Sequence, residues 1–393
     1  MFRWGSVCVV VALLISVVTA CNNTPKIVRV AVTMPLGLEI GQDMLNGAKL
    51  ALEQAGGQAG KVAVELLIAD SSDPQGSPVS PDLEKEAAIK AAQDPTVVAY
   101  LGAATSDQAK ASMAILNRAG ILQLSPSATW PGLTKPGFGP GEPGVYYPTG
   151  RRHFFRVVPS DEVQGAAAAR WAKTLGVQSV FIVDDGTTYG QGVAGVFEIS
   201  AQDLGIHVLA YQNFTPNPAP QVISSLADHV NAAQPDLLFV GTSLGNGGSE
   251  LIKAVRTLNR QLMVMVPDGM VQDQVIAEVG AELMEGIYAT NVVIPPGQLD
   301  TAADFYAAYR SAFGKEPPAY ALTTYEAMRV ILKAIEIAPE PTRKAVLDAV
   351  AQLGEFSGAL GSWQFDPRGD VSTAAICGLQ VQGGVWAFVG VIK

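Results

Sequence analysis

The chain has few of the residues that catalysis, metal binding and disulfide scaffolds require. Its 393 residues include three cysteines and three histidines, and only 16% are charged. Three cysteines are too few to hold a chain of this length together by disulfide bonds or to form a cysteine-rich metal site. The 36 acidic residues outnumber the 26 basic ones, which leaves no basic stripe for nucleic-acid phosphates. Since 48% of the residues are apolar, the sequence predicts a folded, acidic protein that binds no nucleic acid and no metal.

The N-terminal segment is typical of an export signal. Arg3 precedes an apolar stretch over residues 7–18, which is shorter than the ~20 residues of a membrane-spanning helix. Small residues then precede Cys21, and this ending is similar to the bacterial lipobox. We therefore expect residues 1–20 to be a signal peptide, Cys21 to be the lipidated first residue of the mature protein, and residues 21–26 to form the anchor and linker. An ordinary signal peptide is the alternative, and both place the protein outside the cytoplasm.

Short β-branched runs alternate with longer stretches of helical period along most of the chain. Near-continuous apolar strands separated by helices predict parallel sheets covered on both faces. A first series covers residues 28–125, and Phe154–Val158 begins a second series whose last strand is Leu262–Pro267, with Gly286–Thr290 after it. Further helices and a β-rich tail follow. Two series predict two α/β lobes, and ligands bind beyond the carboxyl ends of the strands in such sheets.

Motifs that would indicate catalysis are incomplete. Gly241–Gly245 matches Gly-x-Ser-x-Gly, but all three histidines precede Ser243, whereas such a serine takes its base from later in the chain. Gly190–Gly195 matches Gly-x-Gly-x-x-Gly, but it lies too far from the preceding strand, and no ribose-binding acid follows the next strand. The histidines have no metal-ligand spacing. We therefore predict no enzyme and no cofactor.

Polar side chains follow the strands of the first series at the predicted binding edge. Ser106 opens a helix directly after one strand, where free amides and the helix dipole favour an anion. Ser127, Ala128 and Thr129 follow the next strand and offer hydroxyls and amides to the same point. Helix capping by Ser106 and turn chemistry at the other positions are the alternatives.

The second series supplies acidic and aromatic residues at the corresponding positions. Asp161, Tyr189 and Asp268 each follow a strand. The two carboxylates either cap helices or face a cation across a cleft, and Tyr189 either packs or contacts a ligand. A half that favours carboxylate opposite a half that favours ammonium would suit a zwitterion.

A series of short stretches, none specific alone, links this sequence to a known family. They are Val30–Leu36, Gly41–Ala48, Gly120–Thr129, Phe155–Asp161, Asp184–Gly192, Glu285–Tyr288, Ala319–Tyr325 and Phe365–Asp370. In this order, from about Lys26 to the C-terminus, the sequence resembles the branched-chain amino-acid type of extracytoplasmic solute-binding proteins, the receptors of ABC importers.

The resemblance implies two doubly wound α/β lobes that are joined by three crossing segments and close on ligand like a hinged trap. Residues 27–158 and 289–365 would form lobe I. Residues 159–288 and 366–393 would form lobe II.

The resemblance also assigns roles to the candidate residues. Ser106, Ser127 and Thr129, with Ala128 between them, would hold the α-carboxylate of an amino acid. Asp161, Asp268 and Tyr189 would surround its ammonium group. Tyr320 lies in a matching stretch and joins the ligand-binding set. The pocket wall would include Ala104, Trp130 and Ser243.

The chain departs from the family pattern around the side-chain pocket. The loop Pro35–Gly41 is short and has Ile40 where an aromatic residue is common, and Thr242 and Ser243 stand where many relatives have Gly-Tyr. The longer segment 136–152 is able to cover the cleft. These departures leave the ligand's side chain open.

The implied function is capture of an amino acid, branched-chain or of another small apolar type. The implied protein is a lipid-anchored, monomeric receptor that delivers its ligand to the permease subunits of an ABC importer in the membrane. The alternatives are a receptor for amides, urea-like compounds or aromatic acids, and a chemosensor for a membrane signalling protein.

Overall fold

The computed structural model describes residues 27–73, 79–295, 297–373 and 375–392. The predicted signal peptide, the lipidated Cys21 and the linker lie outside the described residues. The strands are β1 Ile27–Met34, β2 Gln58–Ala59, β3 Val62–Asp70, β4 Val97–Leu101, β5 Leu122–Ser125, β6 Phe154–Arg156, β7 Ser179–Asp184, β8 His207–Asn213, β9 Leu237–Gly241, β10 Met263–Val266, β11 Tyr288–Asn291, β12 Phe356–Gly358, β13 Gly361–Trp363, β14 Ile376–Gln382 and β15 Val385–Ile392.

Helices alternate with these strands. The α-helices are α1 Glu39–Gln54, α2 Pro81–Gln93, α3 Ser106–Ala119, α4 Asp161–Thr174, α5 Thr188–Asp203, α6 Pro220–Ala233, α7 Gly248–Leu258, α8 Asp273–Val279, α9 Ala281–Met284, α10 Ala303–Phe313, α11 Ala319–Ile337 and α12 Arg343–Ala351. Short 3-10 turns include Pro131–Leu133, Gly144–Tyr146 and Asp268–Met270. None of the helices in the described ranges is both long and apolar enough to cross a bilayer.

The first sheet has the strand order β2-β3-β1-β4-β5-β6 and is parallel except for the pairing of β2 with β3. Strands β4 and β5 are buried at every position, as expected for strands covered on both faces. The prediction that Phe154–Val158 begins the second series is wrong. This segment supplies β6, which pairs with β5, because its apolar residues complete the buried edge of the first sheet.

The second sheet has the order β15-β14-β11-β10-β9-β7-β8. It is parallel from β8 to β11, and the antiparallel strands β14 and β15 complete it. Strand β11 pairs in this sheet as far as Asn291, so it extends past residue 289, where the sequence prediction begins the second segment of lobe I.

The apolar core divides between the two sheets. One cluster joins the first sheet to α1, α10, α11 and α12, and two others surround the second sheet. The chain therefore passes between the lobes after β6, after β11 and after β13. The predicted fold class, two α/β lobes with mainly parallel sheets, is confirmed.

The strand orders locate the binding edge. Chain order reverses between β1 and β4 in the first sheet and between β7 and β9 in the second. The loops after neighbouring strands diverge at such a reversal, which leaves a crevice at the carboxyl edge of the sheet. A site formed by both lobes is therefore expected where these two crevices face each other.

Candidate ligand-binding cleft

A cavity of about 120 Å³ lies between the lobes at both crevices. Loops that follow β1, β4 and β5 line it from lobe I, and loops that follow β7, β9 and β10 line it from lobe II. Much of its wall is apolar and consists of Pro35, Leu38, Ile40, Met44, Val79 and Leu244. The cavity thus combines one apolar region with polar groups supplied by strand ends.

The predicted site residues divide between the cavity wall and its surroundings. The wall includes Ala104, Ser106, Ser127, Tyr189, Ser243 and Tyr320. The residues that lie outside the wall are Ala128, Thr129, Trp130, Asp161 and Asp268. The structure therefore brings together hydroxyl groups from both lobes, while it sets the two predicted carboxylates behind the wall.

The lobe I end of the cavity is the N-terminus of α3. Thr105 caps this helix, and its side chain accepts a hydrogen bond from the Gln108 amide at 3.4 Å. The first amides of α3, at Ser106 and Asp107, have no carbonyl partner within the helix and lie in the cavity wall. The Ser106 hydroxyl accepts the Trp130 amide at 3.1 Å and keeps its own proton available. This end favours an anionic group.

Ser127 lines the cavity, and its hydroxyl proton is used within lobe I. Its hydroxyl donates to the carbonyl oxygen of Ala104 at 2.7 Å. The neighbouring Ser125 hydroxyl donates to the Ala103 carbonyl at 2.7 Å and accepts the Ala128 amide at 2.9 Å. Both hydroxyls therefore hold the β4 and β5 loops together, and Ser127 has no proton left to donate to a carboxylate.

Asp161 is buried beside the cavity rather than in it. Its carboxyl oxygens and the Thr129 hydroxyl have no hydrogen-bond partner among the described residues. A Cβ atom on Gly192 would lie 2.5 Å from Asp161 Oδ2 and 2.8 Å from the Trp130 ring, so α5 and Trp130 enclose the carboxyl group. Burial raises the pKa of Asp161 to about 8, although the Arg156 guanidinium acts against the rise. Burial thus favours the neutral form of this acid.

Trp130 lies outside the cavity wall because its indole is held elsewhere. Its Nε1 donates to Glu142 at 2.8 Å, and Lys110 lies 4.5 Å from the ring centroid. Burial acts to raise the pKa of Glu142, but Tyr146, Trp130 and Lys110 outweigh this effect and the pKa is lowered. The segment 136–152, predicted to be able to cover the cleft, contributes no residue to the cavity wall.

Asp268 is the centre of a hydrogen-bonded cluster that crosses the cleft. Its Oδ1 accepts Gln164 Nε2 at 2.7 Å and the Tyr189 hydroxyl at 2.6 Å, and its Oδ2 accepts the Tyr320 hydroxyl. Tyr320 begins α11 in lobe I, whereas Asp268 follows β10 in lobe II. Burial raises the pKa of both tyrosines well above the usual value, and the Asp268 charge raises it further. Both hydroxyls remain protonated and donate to Asp268.

The remaining polar wall is organised by Asp185, which the sequence reasoning did not single out. Its carboxylate accepts Thr187 Oγ1 at 2.5 Å, Thr242 Oγ1 at 2.8 Å and Asn246 Nδ2 at 2.7 Å. Asn246 also donates to the Ser243 hydroxyl at 3.0 Å. Ser243 therefore lines the cavity, and the side-chain amide of Asn246 holds its hydroxyl in place. Asp185 lies so close to Gly190 that a side chain at this position would overlap its carboxylate. Packing therefore explains the first glycine of the Gly-x-Gly-x-x-Gly match.

A second contact crosses the cleft beside the cavity. Asp107 Oδ2 accepts the Thr188 amide at 3.1 Å, and the Thr188 hydroxyl donates to Asp107 Oδ1. These residues lie at the N-termini of α3 and α5, one from each lobe. The sequence analysis did not predict this contact. The signal that could have found it is an acid and a threonine, each in the first turn of a helix at the carboxyl edge of its sheet. The lobes are therefore closed on each other.

The described ranges contain no cluster of three or more side chains able to bind a metal. His153 is buried in lobe I, where Asn117 Nδ2 lies 2.9 Å from its Nδ1, and the other histidines are exposed. The polar groups of the cleft are hydroxyls, amides and carboxylates, which suit reversible binding of a small polar molecule.

Comparison with known proteins agrees with this architecture. A family described as "Periplasmic binding protein" matches residues 30–384. The chain belongs to this family. Its resemblance to the branched-chain amino-acid type is confirmed by the relatives below.

A Leu/Ile/Val-binding protein homolog of Brucella abortus is 26% identical over 336 residues, 84% of this chain and 83% of the relative. A leucine-, isoleucine-, valine-, threonine- and alanine-binding protein of Pseudomonas aeruginosa is 24% identical over 353 residues, 88% of this chain and 87% of the relative. The crystal structure of the leucine-binding protein LivK of Thermotoga maritima is 25% identical, with a TM-score of 0.80, and the match covers 93% of this chain and 99% of LivK.

Proposed function

We propose that the protein is the substrate-binding component of an ABC importer and that it captures a small amino acid in the inter-lobe cleft. The observation that carries the proposal is the polarity of the cavity. Its lobe I end presents the amides of α3 and the Ser106 hydroxyl, which suit a carboxylate, and its lobe II end adjoins the Asp268 cluster, which suits an ammonium group.

The size and wall of the cavity support a small apolar side chain. A volume of about 120 Å³ is below that of pockets for drug-sized ligands, so a peptide or cofactor would not fit. Ile40, Met44 and Leu244 offer apolar surface to the same cavity. The names of the relatives support the same ligand class, since the Pseudomonas aeruginosa protein is named for binding leucine, isoleucine, valine, threonine and alanine.

The cellular setting is part of the proposal. The protein would work outside the cytoplasm, anchored by lipid on Cys21, and would deliver its ligand as a monomer to a membrane permease. Lobe closure about the points where the chain passes between the lobes, after β6, β11 and β13, would supply the signal that the permease reads.

A thermal-shift panel of the purified protein tests the ligand class. It would contain the twenty amino acids, urea, short amides and benzoate. A ligand at a hundred times its dissociation constant adds about 2.7 kcal/mol to the free energy of unfolding. We expect stabilisation by a small set of apolar amino acids. Stabilisation by benzoate or an amide alone would contradict the amino-acid assignment.

Substitution of Ser106 tests the carboxylate end. Ser106→Ala removes the free hydroxyl donor, and a hydrogen bond to a charged group stabilises by about 1.5–3 kcal/mol. We expect amino-acid affinity, measured by calorimetric titration, to fall by about tenfold or more. Ser224→Ala is the control, since Ser224 is exposed on α6 and donates only to the Gln221 carbonyl. Equal affinities for the two variants would contradict this role of Ser106.

A further inference from the structure

Arg156 is a buried cation at the point where the chain first leaves lobe I. It is the last residue of β6, and none of its surface is exposed. Its Nε donates to Asp370 Oδ1 at 2.8 Å, and its backbone amide donates to the Gly369 carbonyl at 3.0 Å. Gly369 and Asp370 lie in the crossing that follows β13. An ion pair and a backbone hydrogen bond therefore join the two hinge crossings, after β6 and after β13.

Side chains of the loop after β5 complete this ion pair. Thr134 Oγ1 accepts Arg156 Nη2 at 2.9 Å and donates to Asp370 Oδ2 at 3.0 Å. Lys135 Nζ lies 3.6 Å from Asp370 Oδ2 and also pairs with Glu162 in the first turn of α4. Burial acts to raise the pKa of Asp370, but Arg156 and Lys135 outweigh this effect and the pKa is lowered. Asp370 is therefore ionised and balances the buried charge of Arg156.

The same guanidinium holds the backbone of the loop after β5. Arg156 Nη1 donates to the Trp130 carbonyl at 2.9 Å and to the Ala128 carbonyl at 3.3 Å. The Trp130 amide in turn donates to the Ser106 hydroxyl at 3.1 Å. These contacts form one continuous chain that runs from Asp370 through Arg156 and Trp130 to Ser106. The hinge crossings are therefore connected to the lobe I end of the cavity by direct hydrogen bonds.

The Trp130 amide sets the direction of the Ser106 proton. A hydroxyl has one proton and two lone pairs, and this amide occupies one of the lone pairs. Ser106 lines the cavity, so its proton is available to an acceptor there. Hydrogen bonds weaken steeply when their distance or angle departs from the preferred range. A shift of the Trp130 peptide would therefore let the hydroxyl rotate away from a ligand, and Arg156 opposes this shift through the Trp130 carbonyl.

We propose that Arg156 and Asp370 are a pair of positioning residues at the hinge, which hold the Trp130 peptide and through it orient the Ser106 hydroxyl toward the ligand's carboxylate. Neither Arg156 nor Asp370 lines the cavity, so both act through other residues. Because the pair also joins the two hinge crossings, recognition of the carboxylate depends on the geometry of the hinge. This inference rests on the proposed function for its ligand, whereas the chain of contacts can be measured without one.

Hydrogen exchange of the Trp130 amide in the purified, ligand-free protein tests the chain of contacts. Asp370→Asn keeps the size of the side chain and removes its charge, so we expect this amide to exchange about tenfold or more faster. Asp366→Asn is the matched control, since Asp366 lies in the same crossing and its carboxylate accepts the backbone amides of Arg368 and Asp370. It should leave the exchange rate within about twofold. An unchanged rate in Asp370→Asn would overturn the proposal.

Calorimetric titration with L-leucine and L-alanine, each compared with its primary amide, tests the link to Ser106, because the amides lack the carboxylate. Asp370→Asn should weaken the amino acid by about three- to tenfold and leave the amide within about twofold. Adding Ser106→Ala should give about the affinity of Ser106→Ala alone, because the residues act as one unit. Equal losses for both ligands, or additive losses in the double variant, would overturn the positioning role. Where neither amide binds, the double variant decides.

A second variant decides the matter if Asp370→Asn does not fold. Thr134→Val changes no charge and removes the hydroxyl that links Arg156 Nη2 to Asp370 Oδ2. It should change the exchange of the Trp130 amide and the amino-acid affinity in the same direction by a smaller factor. If neither amino acid binds the wild type, the proposed function fails, and the carboxylate role of the pair fails with it. If an amino acid binds and these variants change neither quantity, only the positioning role is overturned.

Discussion

Glu84 shows how one buried side chain can set the pH dependence of the whole lobe. It lies on α2 without exposed surface, accepts the Tyr100 hydroxyl at 2.8 Å, and has no partner for Oε2 among the described residues. Burial raises the pKa of Glu84 from 4.5 to about 8, although Tyr100 and Ser112 act against the rise. The folded state therefore holds a proton that the unfolded chain releases above about pH 4.5.

Because the folded-state pKa is raised, this contribution to stability is complete below pH 4.5 and is lost as the pH rises through about 8. We expect the wild-type free energy of unfolding to fall across this interval, with up to about 1.4 kcal/mol per pH unit from this one group. Glu84→Gln should reduce the slope in urea titrations at several pH values. Glu86→Gln, an exposed change on the same helix, should leave it unaltered. Equal slopes for all three proteins would contradict the account.

Residue types at strand ends could be predicted from sequence, but their roles could not. Ser106 and Tyr189 follow apolar strands, so their place at the cleft is predictable from the fold class. The exclusion of Asp161 depends on Gly192 and Trp130, which come from distant segments and enclose its carboxyl group. The proton of Ser127 is committed to a carbonyl on a neighbouring loop. Neither contact can be inferred from the residues that adjoin Asp161 or Ser127 in the sequence.

At the scale of elements, α1 and α11 approach each other closely in lobe I. Gly47 on α1 lies against the Ala321 carbonyl of α11, and a Cβ atom there would overlap this oxygen and come within 3.2 Å of the Tyr325 amide. This contact fixes α11, whose first turn carries Tyr320 into the cleft. The geometry of the cleft therefore depends on a glycine outside it.

Gly47→Ala should destabilise the protein, because the added methyl group forces two packed helices apart. Overpacking of this kind costs about 1–3 kcal/mol. Gly195→Ala is the matched control, since Gly195 lies within α5 with no atom within 4 Å of a Cβ, and there alanine should stabilise by about 0.5–1 kcal/mol. Chemical denaturation measures both changes. Stability changes of the same sign would contradict the packing argument.

Element boundaries were predictable where the apolar pattern was continuous and less so elsewhere. Strand β4 has a continuous apolar pattern because all five of its residues are buried. Helix α11 begins at Ala319, directly after its N-cap Pro318, and its first turn is only partly buried, so the apolar pattern does not mark this start. Strand β6 is short, and its sheet could not be identified from apolar residues alone.

At the scale of the whole molecule, closure of the lobes rests on few polar contacts. The Asp107 carboxylate accepts both the amide and the hydroxyl of Thr188, and Tyr320 donates to Asp268. Such contacts form only in the closed state and bias the equilibrium toward it. Loss of one should favour the open state without affecting either core.

Asp107→Ala should therefore open the unliganded protein and speed ligand release. We expect a larger radius of gyration by small-angle scattering and a dissociation rate about three- to tenfold higher, corresponding to about 1 kcal/mol of lost contact. Asp82→Ala changes an exposed acid in the first turn of another lobe I helix and serves as the control. Unchanged scattering and release in Asp107→Ala would contradict a closing role for this contact.

The central claim is that an amino acid lies across the cleft with its charged ends on opposite lobes. The most direct measurement is a crystal structure of the protein grown with leucine, isoleucine and valine. The account predicts one bound amino acid, its carboxylate on the Ser106 hydroxyl and the first amides of α3, and its ammonium at the Asp268 cluster of lobe II. An empty cleft, or a ligand whose carboxylate and ammonium both contact the same lobe, would contradict it.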